Sequence, residues 1–145
     1  MNTPDPALAV RYILSANEEV TERAMTRIYT DQLPQAAVLP AIIINVITEM
    51  INDSFQGETG LERARIQVQA IADFRPDANE LGWYVRKALG GFTGDADGVC
   101  IDSINRVMSL SYDTDSPVDG GAKFRFVSLQ DFYVHYDSQL SKAEG

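Results

Sequence analysis

The sequence predicts an α+β domain: an antiparallel sheet of about four to five strands with two main helices packed on one face. Three observations carry that reading. Ala41–Met50 is a run rich in β-branched residues. Arg63–Ala72 alternates apolar and polar side chains with a period of two. Arg75–Phe92 repeats its apolar residues at helical spacing and runs out at a glycine pair. No internal repeat or interdomain linker interrupts the order helix, strands, hairpin, helix, hairpin, so residues 1–145 read as a single domain.

The first segment opens with a helix-start signal. Thr3 or Asp5 is placed to cap, and Pro4 or Pro6 suits the first turn. Leu8, Tyr12 and Ile13 recur at helical spacing, and Val10 and Leu14 widen the stripe. At Asn17, Glu18 and Glu19 the helix ends or restarts. Thr26–Pro40 reads as a short strand and then a loop, because Pro34 and Pro40 remove backbone donors. Ala41–Met50 follows as a central strand and Ile51–Gly60 as a turn-rich connection.

In the next strand Ala64, Ile66, Val68, Ala70 and Ala72 share one face, and Arg63, Arg65, Gln67 and Gln69 share the other. Ala41–Met50 and Arg63–Phe74 therefore form the arms of a hairpin that turns at Gly57 and Gly60. The helix Arg75–Phe92 has capping-box spacing at Asp77 and Glu80. Its apolar stripe is Ala78, Leu81, Val85, Ala88 and Leu89, with Trp83 or Tyr84 at the edge. Arg86 and Lys87 complement the dipole of the last turn, and Gly90-Gly91 ends the helix. The interior Gly82 costs about 1 kcal/mol relative to alanine, a cost that suits close packing of helix on sheet.

Thr93–Val99 is a turn. Val99, Ile101 and Ser103 then alternate, and Asn105, Val107, Ser109 and Ser111 continue the period. Ile104, Met108, Leu110 and Tyr112 take the other face. Asp113–Gly121 reads as a polar, acidic loop tip. The closing strand, Lys123–Tyr136, holds Phe124, Phe126, Phe132, Val134 and Tyr136 in one phase, and Lys123, Arg125, Asp131 and His135 in the other. Residues 137–145 read as a frayed tail.

Composition removes several function classes. Twelve basic against twenty-one acidic residues give a net charge of -9, which opposes ordinary duplex DNA binding. An acidic wall still suits DNA that passes nearby without being gripped. The richest apolar run, Ala41–Ile47, has the length of a buried strand and falls short of the ~20 residues of a membrane helix. No membrane partner is expected. The N-terminus lacks the basic and apolar regions of a secretion signal. The lone Cys100 excludes an intrachain disulfide and fits a reducing compartment.

Candidate chemistry is sparse. His135, the single histidine, lies on the polar phase of its strand and reads as a surface or interface residue. His and Cys are too few for a zinc site. Asp113, Asp115 and Asp119 have the look of a calcium loop, but Pro117, Val118 and Phe124 occupy positions where an EF-hand needs Asp or Asn, Gly and Glu. Gly90–Gly94 follows a helix, whereas phosphate loops precede one. No catalytic, metal or cofactor residue is assigned, no cofactor is expected, and the chain is not expected to be an enzyme.

Five segments in order carry a family likeness: RIYTDQLPQAAVLPAIIINVI, GETGLERARIQVQAIADF, ANELGWYVRKALGGFTG, GVCIDSINRVMSLSYD and KFRFVSLQDFYVHYD. Over Ala7–Tyr136 the chain resembles the tail-completion, or tail-terminator-like, proteins of tailed bacteriophages and phage-like particles. The resemblance implies a structural virion protein of the tail or neck, assembled in the host cytoplasm. It implies a ring, typically hexameric, at the head-proximal end of the tail tube. The ring would end tube growth and join tail to head. The implied partners are copies of the chain, the tail tube protein and a head-completion or connector protein. The resemblance implies that DNA passes through the lumen without sequence-specific binding, and the net charge of -9 leads to the expectation that acidic residues line that path.

Subunit contacts are expected at Phe55, Gln56, Glu58, Leu61, Glu62, Arg63, Arg65, Gln67, Asp113, Asp115 and Asp119. Arg63 and Arg65, with Glu62, are expected to pair with charged loops of adjacent subunits. The Asp113–Gly121 loop is longer than the family pattern leads one to expect. Two alternatives remain: a head-completion or connector adaptor at the neck, and a small-molecule binding domain. Val68→Asp places an unpaired charge on the apolar strand face; the expected outcome is loss of the cooperative melting transition.

Overall fold

Asp5 starts the first helix, as its position before Pro6 predicts. Its Oδ1 accepts hydrogen bonds from the amides of Ala7 and Leu8 at 3.0 and 3.3 Å, satisfying donors that a helix N-terminus leaves unpaired. The computed structural model describes residues 5–34, 36–51, 61–118 and 121–140. Helix α1 spans Pro6–Ser15. The chain restarts as α2, Glu18–Ala24, where Asn17 Oδ1 accepts from the Val20 amide at 3.1 Å. A third helix, α3, spans Arg75–Leu89. The described residues thus hold three helices rather than two main ones, because Asn17 caps a separate short helix. None of them is long and apolar enough to cross a membrane.

The strands are β1 (Ile28–Thr30), β2 (Ala41–Ile51), β3 (Leu61–Ala72), β4 (Gly94–Ala96), β5 (Val99–Val118) and β6 (Gly121–Leu140). Among the described residues they form one sheet of six strands in the order β1-β2-β3-β6-β5-β4. The sheet is mixed, not purely antiparallel: β1 runs parallel to β2, with Ile28 opposite Ile42. The connection between these strands crosses the sheet face opposite the helices. Its Leu33 and Leu39 pack there on Ile43, Ile71, Val127 and Leu129, and such a crossover returns the chain in the same direction.

β2 and β3 pair antiparallel with the expected faces, Ile44 opposite Val68 and Ile42 opposite Ala70; the expected turn at Gly57 and Gly60 lies outside the described residues. The expected loop tip Asp113–Gly121 is instead mostly ladder. β5 continues to Val118, β6 starts at Gly121, and Asp113 to Val118 pair residue by residue with Phe126 to Gly121. Acidic residues are poor strand formers in isolation, but pairing context overrides that preference. β6 also runs through Leu140, into the segment expected to fray.

The main core lies between the sheet and the helices. Ile42, Ile44, Ile66, Val68, Phe132 and Val134 meet Val10, Leu14, Leu81 and Leu89 there. Helix α3 starts earlier than the capping box predicts. Its N-cap is Phe74, which gives no side-chain cap, and Asp77 sits in the first turn. Pro76, with its fixed φ, favours that earlier start. Glu80 is turned to another use: its Oε1 accepts from Arg23 Nε at 2.7 Å.

Gly82 performs the close approach expected of it. The α3 backbone there lies on β6, and the Gly82 carbonyl accepts from Gln130 Nε2 at 2.7 Å. A Cβ at position 82 would stand 2.8 Å from Ser128 Cβ, closer than packed carbons allow. Gly82→Ala should therefore destabilise by roughly 1–3 kcal/mol through overpacking, despite the better helix propensity of alanine. Chemical denaturation measures this, and Ser128→Gly in the same chain should recover part of the loss.

Candidate subunit interface

The period-two pattern of β3 sorts its residues as predicted. Ala64, Ile66, Val68, Ala70 and Ala72 are buried, and Arg63, Arg65, Gln67 and Gln69 are half-buried on the face away from the helices. The β6 pairing sets a polar row beside them: Arg63 opposite His135, Arg65 opposite Tyr133, Gln67 opposite Asp131. Arg65 donates from Nε and Nη2 to Asp131 Oδ2 at 2.9 and 2.7 Å. The neighbouring carboxylate raises the Arg65 pKa further, first through the hydrogen bond and then through its charge. Arg65 is thus satisfied within its own chain.

Asp131 departs from its expected place. It shares a phase with His135 as predicted, but it is only 2 % exposed. Oδ1 of this carboxylate has no hydrogen-bond partner. Burial here follows from the neighbouring strands: Met108 of β5 lies opposite Asp131 on one side and Gln67 of β3 on the other. Periodicity along one strand does not report that crowding. The arginine opposite in charge, one row away on the same face, was the available signal.

The other expected contact residues are placed in several different settings. Arg63 lies over the Tyr133 ring at 4.5 Å, and Gln67 Oε1 accepts from Gln69 Nε2 at 3.1 Å. Glu62 belongs to the opposite phase, where its Oε1 accepts from the Tyr136 hydroxyl at 3.2 Å. Burial, and then the Glu62 charge, push that hydroxyl's pKa upward. Leu61 and Asp115 are ladder residues opposite Asp137 and Phe124. Asp113 is exposed and lines a cavity of about 250 Å³ with Arg75, Asn79, Ser111, Tyr112 and Phe126. Phe55, Gln56, Glu58 and Asp119 lie outside the described residues. His135 is half-buried, its ring centroid 6.5 Å from that of Tyr133.

Sequence reasoning missed the sheet edges. β4 pairs only with Val99–Ile101 of β5, so among the described residues Asp102–Val118 has no strand on its outer side. β1 pairs only with Ile42–Ile44 of β2, which leaves residues 45–51 without a strand at the other side of the sheet among the described residues. Both open stretches carry exposed apolar residues: Val107 at 42 % and Leu110 at 50 %, Val46 at 37 % and Ile47 at 46 %. Edges are a property of strand order, which periodicity does not encode. The described residues hold no cluster of three or more His, Cys, Asp or Glu side chains able to hold a metal. What the geometry offers is backbone and apolar surface for another chain.

The family model described as Tail completion protein gp17 matches residues 8–116. A solved chain from the "Virion of native gene transfer agent (GTA) particle" superposes with a TM-score of 0.62. That chain is 18 % identical, and the match covers 91 % of this chain and 96 % of that one; the likeness is one of fold. No curated protein matches the sequence.

Removing one partner of the Arg65–Asp131 pair strands the other, and replacing both with apolar residues does not. Arg65→Ala and Asp131→Ala should each lower the melting temperature more than Arg63→Ala does. The double variant Arg65→Met with Asp131→Leu should regain most of the loss, as read by calorimetry.

Proposed function

The chain belongs to the tail completion protein gp17 family, and on that premise we propose that it forms a ring at the head-proximal end of the tail tube. It is a structural tail protein of the virion. In our reading the ring ends tube growth, presents one surface to the tube and another to a head-completion or connector protein, and lets DNA pass through its centre.

The observation that carries this reading is the family match over residues 8–116. The physical form of the chain supports it. A sheet with two open edges gives a subunit a different surface on each side, and head-to-tail contacts between unlike surfaces generate rings when the rotation closes. The net charge of -9 supports a lumen that repels the DNA backbone and lets it slide. Arg63, Gln67 and Asp113, with Phe55, Gln56, Glu58 and Asp119, are assigned to contacts with neighbouring proteins.

Removing the gene should give tails of irregular length and heads without tails in negative-stain images. Resupplying the protein should restore joined particles. Particles of normal length and normal joining in its absence would overturn the proposal.

A further inference from the structure

We infer that the outer edge of β5 pairs, antiparallel, with the outer edge of β2 of a second copy, so that one sheet continues from subunit to subunit. This deepens the ring reading proposed above and rests on it for the closed symmetry.

The first ground is the backbone. An edge strand presents a row of unpaired amides and carbonyls, and proteins guard such rows with Lys, Pro or a covering element. Here the free stretch of β5 exposes Val107 and Leu110, and the free stretch of β2 exposes Val46 and Ile47. Each edge also carries a bulge, between Val46 and Thr48 on β2 and between Arg106 and Met108 on β5. Bulges bend a strand and raise its twist. The extra residues at these bulges, Ile47 and Val107, are apolar and exposed, and one charged residue stands close to each, Glu49 on β2 and Arg106 on β5.

The second ground is direction. β2 is antiparallel to β3, β3 to β6 and β6 to β5. β5 therefore runs opposite to β2. Rotation about a ring axis keeps the sense of β2 relative to that axis in every copy. The next copy's β2 thus arrives antiparallel to β5, the stronger of the two pairing modes. The third ground is charge: Arg106 on the free part of β5 and Glu49 on the free part of β2 are exposed and of opposite sign.

The competing occupant of the β5 edge is β5 of another copy. That contact is two-fold, closes at a dimer and leaves β2 open. Two variants separate the cases. Val107→Lys with Leu110→Lys blocks the β5 edge, and Val46→Lys with Ile47→Lys blocks the β2 edge. All four positions are exposed, so cooperative melting of each monomer is expected. Should either double variant lose it, Leu110→Lys or Ile47→Lys alone replaces it.

Native mass spectrometry reads the outcome. The wild-type chain should form a closed oligomer, and each variant alone should be monomeric. An equal mixture of the two should give heterodimers and nothing larger, because each partner keeps one intact edge. A self-dimer of the β2-blocked variant, oligomers of wild-type size from either variant, or a wild-type chain that is monomeric at every concentration would overturn the pairing. Wild-type rings that persist while the mixture gives no heterodimer would remove edge pairing and leave the tail-end function standing. Normal particles without the gene would remove that function and leave the heterodimer result intact.

Discussion

Backbone amides and carbonyls in a sheet are satisfied by a neighbouring strand or by water, and β5 has a neighbour on both sides only at Val99–Ile101. Beyond it the Gly91 amide still donates to the Ile104 carbonyl at 3.0 Å, and from Asn105 onward no strand lies on that side among the described residues. The rest of the molecule is arranged around that asymmetry. Helices α1, α2 and α3 gather on one face, and β1 shields only three rows of β2. The fold is thereby complete as a core and incomplete as a sheet.

The two faces of the sheet differ in how they are finished. On the helix side, close packing does the work, and Gly82 lets the α3 backbone come within hydrogen-bond reach of Gln130. On the opposite face no helix packs among the described residues. The crossing connection with Leu33 and Leu39 covers its apolar end at Ile43, Ile71, Val127 and Leu129. Its polar end is held by Arg65 on Asp131 and by Arg63 over Tyr133. A buried ion pair of this kind contributes little net stability. It does fix the register of β3 against β6, since a slip by one residue would move Arg65 to the other face and leave Asp131 alone.

Much of this was legible from local pattern. The alternation in Arg63–Ala72, the run at Ala41–Met50 and the helix of Arg75–Leu89 all follow from spacing within one segment. What escaped depends on relations between segments. The parallel pairing of β1 needed the path of the connection across the face. The burial of Asp131 needed its neighbours on β3 and β5. The strand through Asp113–Val118 needed a partner, β6, which pairs with it residue by residue. The capping box at Asp77 failed because Pro76 set an earlier start. Of the expected contact residues, Arg65 proved to be engaged within its own chain, and the open edges that stand out in three dimensions had no local signature at all.

Charge and backbone divide the labour of association. Copies that each carry a net charge of -9 repel one another over the ~8 Å that screening allows at physiological ionic strength. In the proposed ring that repulsion would oppose random association and would keep a polyanion moving past the subunits. Backbone pairing at an edge is short-ranged and directional, so it acts only once two copies are aligned. In the ring reading, such a chain would close into a ring on its own at sufficient concentration and would do so more readily where alignment is imposed, as at the end of a preformed tube. On the proposed pairing, the open edges would supply the attraction and the acidic surface would restrict where it is expressed.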